Sequence, residues 1–429
     1  MLAGRAVARA IIFLSMSETP SNDTPFTEII EAEGHLIDSH LLERIMDKVI
    51  SHGAKFEIQR FEISRTNEQF SHLVMKVLAP QAAPLQELLV ELLELGCHRA
   101  EQAEDALLRP TDGDGCAPED FYSTTNHRTQ VRLGGSWVDV TRQRMDAAVV
   151  VRDGVPECRK LRDLRQGDLV VCGPGGLRVV PGFKERERGS FSFMSGEVSS
   201  ERRVELAARR AAARMLQVKK EGGRTVVVAG PVVVHTGAAE ALASLIRGGL
   251  VQALLSGNAL AVHDAERAMF GTSLGLDLEQ GVAVEHGHRH HMRAINRVRR
   301  AGGLRAAVEN GVLSSGIIYE SVRAGIPVVL AGSIRDDGPM PDTVTDMNVA
   351  QDLYSKNLED ASLVLCLGTM LHSIGVANML PASVPLVAVD INPAVITKIA
   401  DRGSSQTIGL VTDVGLFLHL LARICAEGL

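Results

Sequence analysis

Six short segments, each following an apolar run, carry most of the side chains in this sequence that could do chemistry. They are AGPVVVHTG (229–237), SGNALAVHD (256–264), AGSIRDDGP (331–339), GTMLHS (368–373), DINP (390–393) and TDVG (412–415). Small residues at such places let the backbone approach a ligand closely. Where a helix begins just after them, its unpaired N–H groups and positive dipole end suit a pyrophosphate. Asp390 follows Gly368 by roughly 20 residues, the separation expected of a carboxylate that binds ribose hydroxyls. The fingerprint GxGxxG is absent, and GPGG at 173–176 has the wrong spacing. The residues therefore allow a dinucleotide site of another variety, or plain tight turns between strand and helix.

Three further clusters stand out. EHGHRHHMRAINRVR (285–299) is dense in histidine and arginine. His286 and His290 are four apart and would share one helix face, as metal ligands do, but no carboxylate stands at matching spacing. No metal is expected; an anion or substrate-carboxylate patch using Arg289 or Arg293 competes with a solvated basic helix start. SIRDDGPMPD sets Asp336 and Asp337 at a strand end, where they suit a cation, a ribose or a solvated turn. FYSTTNH (121–127) offers hydroxyls, an imidazole and Asn126, which either reach the site from outside or form a capped turn. Cys116 has no local base or cation to lower its pKa and reads as a loop cysteine.

The elements that must position these groups follow from hydrophobic periodicity. From about 196 to 429, RTVVVAG, LVQALLSG, GIPVVLAG, ASLVLCLG, VPLVAVD and TIGLVTD are continuous apolar runs separated by helical stretches. Such runs indicate strands buried on both faces, hence a parallel sheet whose carboxyl ends gather on one edge. Residues 111–195 hold short strands with Gly-rich turns (VRLGGSWVDV, MDAAVVVRDG, GDLVVCGPGG, LRVVPGF) and read as a β-rich domain, with KERERGS as a solvated loop. Residues 26–110 read as β-α-β-β-α, a small ferredoxin-like α+β domain. The first 25 residues are expected to be a tail and linker; the apolar stretch near the start resembles a weak targeting sequence, and Met16 is an alternative start.

Composition narrows the class. The 429 residues are 45% hydrophobic and 23% charged, as in an ordinary folded enzyme, with only 3% aromatics, so the core rests on Val, Leu, Ile and Ala. A formal charge of −7 removes the electrostatic case for a nucleic-acid partner. Six scattered cysteines form no CxxC pair and suggest neither a disulfide framework nor a zinc module, in keeping with a cytoplasmic protein. No apolar run approaches the roughly 18 residues of a membrane span.

Taken together, EIIEAEGHLIDSHLL, PEDFYSTTNHRTQVRLGGSWVDV, FMSGEVSSER, SGNALAVHDAERAMFGTSLG, GHRHHMRAINRVRRAG, LAGSIRDDGPMPD, TMLHSIGVANMLP and VDINPAVITKIADRGSSQTIGLVTDVGLF resemble the archaeal-type ornithine cyclodeaminase family, also labelled LOR/SDH. The resemblance spans about 26–425 and extends to the carboxyl half of cyanobacterial bifunctional arginine dihydrolase/ornithine cyclodeaminase proteins, whose dihydrolase half has no counterpart here. It implies an α/β fold whose Rossmann-like sheet is of the deoxyhypusine-synthase/sirtuin NAD-binding type. It implies NAD as cofactor, in contact with Asn258, Ala259, Asp337, Thr369, Met370, Leu371, His372, Asp390, Ile391, Asp413 and Val414. The implied reaction is L-ornithine to L-proline plus ammonia with tightly bound, internally recycled NAD. For that chemistry the candidate acid–base and ammonium-holding groups are Asp336, Asp337, His288 and His372, and the candidate substrate-binding groups are Arg289, Arg293 and Asn126, with the 110–127 loop as a lid. The expected partner is a small amino acid, and the expected assembly a homo-oligomer. Another NAD-linked amino-acid or imine dehydrogenase, or a non-enzymatic NAD- or amino-acid-responsive regulator, are the alternatives.

Overall fold

The computed structural model describes residues 26–34, 36–37, 41–63, 71–99, 104–180, 200–274, 276–277, 290–336, 338–402 and 407–428. The amino-terminal tail, the KERERGS loop, and His286, His288, Arg289 and Asp337 among the expected site residues lie outside this set.

The amino-terminal elements are β1 (Phe26–Gly34), α1 (Leu41–Ser51), β2 (Lys55–Glu62), β3 (Ser71–Ala79), α2 (Ala82–Glu94) and β4 (His98–Arg99). They form an antiparallel sheet in the order β2-β3-β1-β4, the split βαβ arrangement expected of a ferredoxin-like unit. Strand β3 alternates strictly, burying Leu73, Met75 and Val77 against Ile45 and Val49 of α1 and Leu88 and Leu92 of α2. Helix α2 begins two residues before Pro84, which sits in the first turn where its missing N–H costs nothing.

Next come β5 (Leu107–Pro110), β6 (Arg128–Leu133), β7 (Ser136–Asp139), β8 (Ala148–Arg152), β9 (Val155–Arg159), β10 (Leu169–Cys172) and β11 (Leu177–Val180). They make two sheets, β5-β10-β8-β9 and β11-β6-β7, closed over Val131, Val149, Val171 and Leu177.

The remainder runs α3 (Ser200–Lys220), β12 (Arg224–Ala229), α4 (Val232–His235), α5 (Ala239–Arg247), β13 (Ala253–Gly257), α6 (Asn258–Phe270), β14 (Thr272–Ser273), β15 (Leu276–Asp277), α7 (His290–Ala301), α8 (Leu304–Glu309), α9 (Ile317–Arg323), β16 (Val328–Ala331), β17 (Thr343–Val344), α10 (Met347–Leu358), β18 (Ala361–Leu367), α11 (Met370–Met379), β19 (Leu386–Asp390), α12 (Pro393–Arg402), β20 (Thr407–Val411) and α13 (Val414–Glu427). Seven parallel strands lie in the order β17-β16-β13-β12-β18-β19-β20. The apolar runs are buried on both faces, as their composition requires: Val227 and Leu365 face one core, Val226 and Val364 the other. Helix α3, not read from the sequence, buries Val204, Ala208, Ala211, Met215 and Val218 as one helical stripe, and it packs on α13. The chain leaves β12 in one direction, ends at β17, and returns to the other side of β12 at β18. That reversal opens a crevice at the carboxyl ends of β12 and β18.

The β-rich unit docks on the outer side of α10 and the end of α11. Met145 N donates to Asn378 O at 3.0 Å, Ala382 N to Asn126 O at 2.8 Å, and Arg162 pairs with Asp352 at 2.8 Å. Among the described residues no helix is long and apolar enough to cross a membrane.

Candidate active site

A cleft of about 570 Å³ lies over the carboxyl ends of β12, β13, β16 and β18, lined at its base by Ala229, Gly230, Gly257, Ala331 and Thr369. The two turns that face each other across the strand reversal pack backbone to backbone. A Cβ on Gly230 would stand 2.1 Å from Gly368 O, and one on Gly368, whose φ is +59°, would meet Val232 Cγ1 at 2.0 Å. Glycine is required at both, and the floor of the cleft is consequently bare main chain.

Helix starts around the cleft divide into two kinds. Asp346 caps α10 by accepting from Asn348 N and Val349 N, and Asp413 caps α13 by accepting from Leu416 N. Helices α6 and α11, which begin at the cleft, have no side-chain cap: Gly257 has no side chain, and the Thr369 side chain makes no cap bond. Their first-turn amides and dipoles therefore face the cleft without an internal acceptor. A bare glycine floor flanked by two uncapped helix starts fits a dinucleotide pyrophosphate.

His372 sits one turn into α11, largely buried, with Nδ1 at 2.9 Å from Tyr354 Oη. The Tyr354 hydroxyl donates to Ser256 O at 2.7 Å, so its oxygen must accept from His372 Nδ1–H. This leaves His372 Nε2 unprotonated beside Gly257. Burial pulls the imidazole pKa below its ordinary value and pushes the Tyr354 phenol above its own, so both stay neutral.

Asn258 and Asp336 are also at the cleft, but their side chains hold a loop. Asn258 Nδ2 donates to Asp336 Oδ1 at 3.1 Å, and Asn258 Oδ1 accepts from Met340 N and Thr343 Oγ1 at 3.0 and 3.1 Å. Asp336 Oδ2 accepts from Ser333 N at 2.7 Å. Ala259 lines the cleft beside Asn258. Asp390 and Ile391 stand at the neighbouring end of β19, with the Asp390 carboxylate accepting from Asn392 N at 2.8 Å. Ile391 is 72% exposed and Leu371 75%, and Met370 is exposed too, leaving apolar surface at the rim. Asp413 and buried Val414 lie at the end of β20, Val414 packed beside Gly368.

Two expected residues are elsewhere. Arg293 does not line the cleft: α7 buries Ala294, Ile295 and Val298, and the Arg293 guanidinium lies over the Phe270 ring, 5.5 Å from its centroid. Asn126 is buried under the β-rich unit, and its carbonyl is spent on Ala382 N beyond the far end of α11. Nor is its segment a lid, since Thr124 ties it to Arg144 O and Ala147 O within its own unit.

The structure adds a group that sequence reasoning missed. His235 and His263 both line the cleft, their rings 4.7 Å apart and edge to face. His263 Nδ1 is 3.0 Å from Glu266 Oε2, and the Glu266 carboxylate is fully buried. Thr272 Oγ1 donates to Glu266 Oε1 at 3.0 Å and Leu274 N to Oε2 at 3.3 Å. His290 Nδ1 contacts Thr272 Oγ1 at 2.9 Å, and His235 Nδ1 contacts Ser273 Oγ at 2.6 Å. Burial, and after it the neighbouring His263, push the His235 pKa down to about 4. The available signal was a His and a Glu three apart on the helix after a strand-end cluster.

Known proteins match this architecture over residues 27–421. Residues 209–421 match a family described as arginine dihydrolase ArgZ-like, C-terminal, Rossmann fold; 128–208 match its first C-terminal region; 27–127 match the LOR/SDH bifunctional enzyme conserved region. The ornithine cyclodeaminase of Methanothermobacter thermautotrophicus is 46% identical over 92% of this chain and 97% of its own. The chain belongs to the ornithine cyclodeaminase family. A second member, the bifunctional arginine dihydrolase/ornithine cyclodeaminase AgrE of Nostoc sp., is 49% identical over 92% of this chain, which spans 58% of that protein's length. The structure of the ternary complex of AgrE with ornithine and NAD+ matches with a TM-score of 0.52 and 47% identity, over 95% of this chain and 58% of that one.

Proposed function

We propose that the chain is an ornithine cyclodeaminase that converts L-ornithine to L-proline and ammonia with tightly bound, internally recycled NAD, in a reducing cytoplasm. The observation that carries this reading is the bare-glycine cleft between the uncapped α6 and α11, at the strand reversal of a chain in the ornithine cyclodeaminase family. All six cysteines are free, which supports the compartment.

On this reading the first-turn amides of α6 and α11 hold the pyrophosphate, in the non-GxGxxG manner of deoxyhypusine synthases and sirtuins. Asp390 accepts from ribose hydroxyls at the neighbouring strand end, and Leu371 and Ile391 give apolar walls to a flat ring. NAD, when bound, supplies a reversible two-electron oxidation at the substrate α-carbon. The overall reaction is redox-neutral: a C–N bond forms between the δ-nitrogen and the α-carbon, and the α-nitrogen leaves as ammonia. The protein's work is to fold the diamino acid so that its ends meet, which is worth several kcal/mol of barrier. It must also exclude water and move protons. Neutral His372 presents Nε2 beside Gly257 at the wall of the cleft, an acceptor for a ligand N–H or O–H.

Incubation of the purified chain with L-ornithine, with and without added NAD, tests the reading. Proline and ammonia in equal amounts, with no net NADH, are expected. Accumulating NADH would instead indicate a dehydrogenase that releases its reduced cofactor, and binding without turnover would indicate a regulator.

A further inference from the structure

We propose that His263, oriented by the buried Glu266, is the base of this site: it takes a proton from a substrate ammonium and returns it to the departing nitrogen. The proposal rests on the ornithine cyclodeaminase reading and adds the residues that move its protons.

Proton bookkeeping at Glu266 sets the direction. A carboxylate only accepts, so His263 Nδ1 must be the donor across their 3.0 Å contact. The lone pair is therefore on His263 Nε2, on a side chain that lines the cleft. The remaining contacts run the same way: the Thr272 hydroxyl donates to Glu266, and so accepts from His290 Nδ1–H. A buried carboxylate is costly unless positive charge can form beside it. Protonated His263 would supply such a charge in direct contact with Glu266 Oε2.

Two other histidines of the cleft differ in this respect. His372 is paired with the phenol of Tyr354 and His235 with the hydroxyl of Ser273, and burial favours the neutral form of both. Neither partner can stabilise an imidazolium as a carboxylate does. The charged and titratable groups around His263 are Glu266 on its own helix, His235 on α4, His290, His291, Arg293 and Arg297 on α7, and Arg335 and Asp336 on the loop after β16. Glu266 is the group in hydrogen-bond contact with His263 Nδ1.

The proton balance closes with one proton released to solvent. Ornithine enters with both amines as ammonium. The α-ammonium gives one proton to solvent, and the α-carbon is oxidised to an iminium by loss of hydride, for which NAD would be the acceptor. His263 Nε2 takes one proton from the δ-ammonium, and the freed nitrogen bonds to the α-carbon. The imidazolium passes that proton to the α-nitrogen, and His263 takes another from the ring nitrogen as the old C–N bond breaks with its electron pair going to ammonia. The ring iminium would recover the same hydride, and His263 returns its proton to the ring nitrogen, so proline leaves and His263 ends the cycle neutral.

The test uses the NAD-loaded protein and two variants. His263→Asn is expected to lower kcat by about 100-fold or more, the usual scale of general acid–base catalysis. KM, NAD content and thermal unfolding should stay near wild type, and added imidazole should restore part of the rate. Glu266→Gln removes the anionic acceptor that orients His263 Nδ1–H, so kcat should fall by about 100-fold or more while KM and NAD content stay near wild type, as when the orienting acid of a catalytic triad is made an amide. A Glu266 with only a structural role would raise KM and lower the unfolding midpoint along with kcat. If Glu266→Gln fails to fold, His263→Asn still decides. Wild-type-like kcat in His263→Asn, in a protein that does make proline, overturns the dyad alone. Failure of the wild-type protein to make proline overturns the functional reading and the dyad with it.

Discussion

Among the described residues two large cavities stand out, and the larger is not the one at the carboxyl ends of the strands. The cleft at the strand reversal measures about 570 Å³, and a second cavity between the β-rich unit and α10 measures about 640 Å³. The second is full of charge, and most of its charged groups pair with one another, while the buried Arg144 Nε, Gln143 Oε1 and Ser355 Oγ have no hydrogen-bond partner among the described residues. Arg142 and Arg159 pair with Glu157, and Lys160 pairs with Asp163 and with Asp352, which also takes Arg162. In the first, histidines meet hydroxyls or a buried carboxylate, helix amides lack caps, and the floor is main chain. Helix α10 also separates the two by position. It ends at Leu358, just before β18 begins at Ala361, so the wall formed by Ser355, Leu358 and Glu359 belongs to the amino edge of the sheet. Volume and charge count do not separate the two cavities; position at the carboxyl ends of the parallel strands does.

The largest effect should come from filling the cleft's floor. Gly230→Ala places a methyl 2.1 Å from a backbone oxygen that no side-chain rotation can move. Overpacking of this kind costs about 3 kcal/mol, and here it would push apart the turns after β12 and β18. The expected outcome is loss of bound NAD and of turnover, with a clear fall in the urea midpoint. Retained NAD at wild-type affinity would show that the glycine contact is ordinary packing, and the contrast between the cavities would lose its main support.

How far this was legible in the sequence divides along the same line. The strands were legible because a parallel strand covered on both faces must be apolar throughout, and VVVA, LLS and LVLCL are. Strand ends follow from strands, which is why Asn258, Thr369, His372 and Asp390 fell where expected. The Glu266 cluster was not legible, since it joins α4, α6, β14 and α7, and no local pattern states that His235 and His263 meet. Arg293 failed on helix phase, because Ile295 and Val298 decide which face of α7 turns inward. Asn126 failed because its neighbours depend on how one folded unit docks on another, and here that unit meets the amino edge.

An intermediate effect is expected where α10 reaches the cleft. Tyr354→Phe removes the hydroxyl shared by Ser256 O and His372 Nδ1, which takes one donor from a carbonyl of the β13–β16 ladder and frees the imidazole to turn or change tautomer. The stability loss should be about 1 kcal/mol, the usual net value of a buried hydrogen bond, read from denaturant titration. Turnover should fall about tenfold, with the interdomain ion pairs unaffected. A variant with full activity would remove His372 from the working wall of the cleft and leave the His263–Glu266 pair as its chemical centre.

The smallest effect should be in the second cavity, though its ion pairs are the most numerous. Asp352→Ala removes the acid that Lys160 and Arg162 share across the interface. That carboxylate is 53% exposed, so solvent screening limits its worth to about 0.5 kcal/mol. Partial burial raises its pKa, but the two cations outweigh it and hold the carboxyl below its ordinary value. A depressed folded-state pKa means the contribution is present at neutral pH and lost as the pH falls through the acid range, where variant and wild type should converge. Turnover and NAD content should stay within about twofold of wild type, because surface pairs of this kind carry so little free energy. A large loss of activity in Asp352→Ala would show that the docking of the β-rich unit on α10 sets the cleft through Tyr354. The two cavities would then be two ends of one device, joined by a single helix.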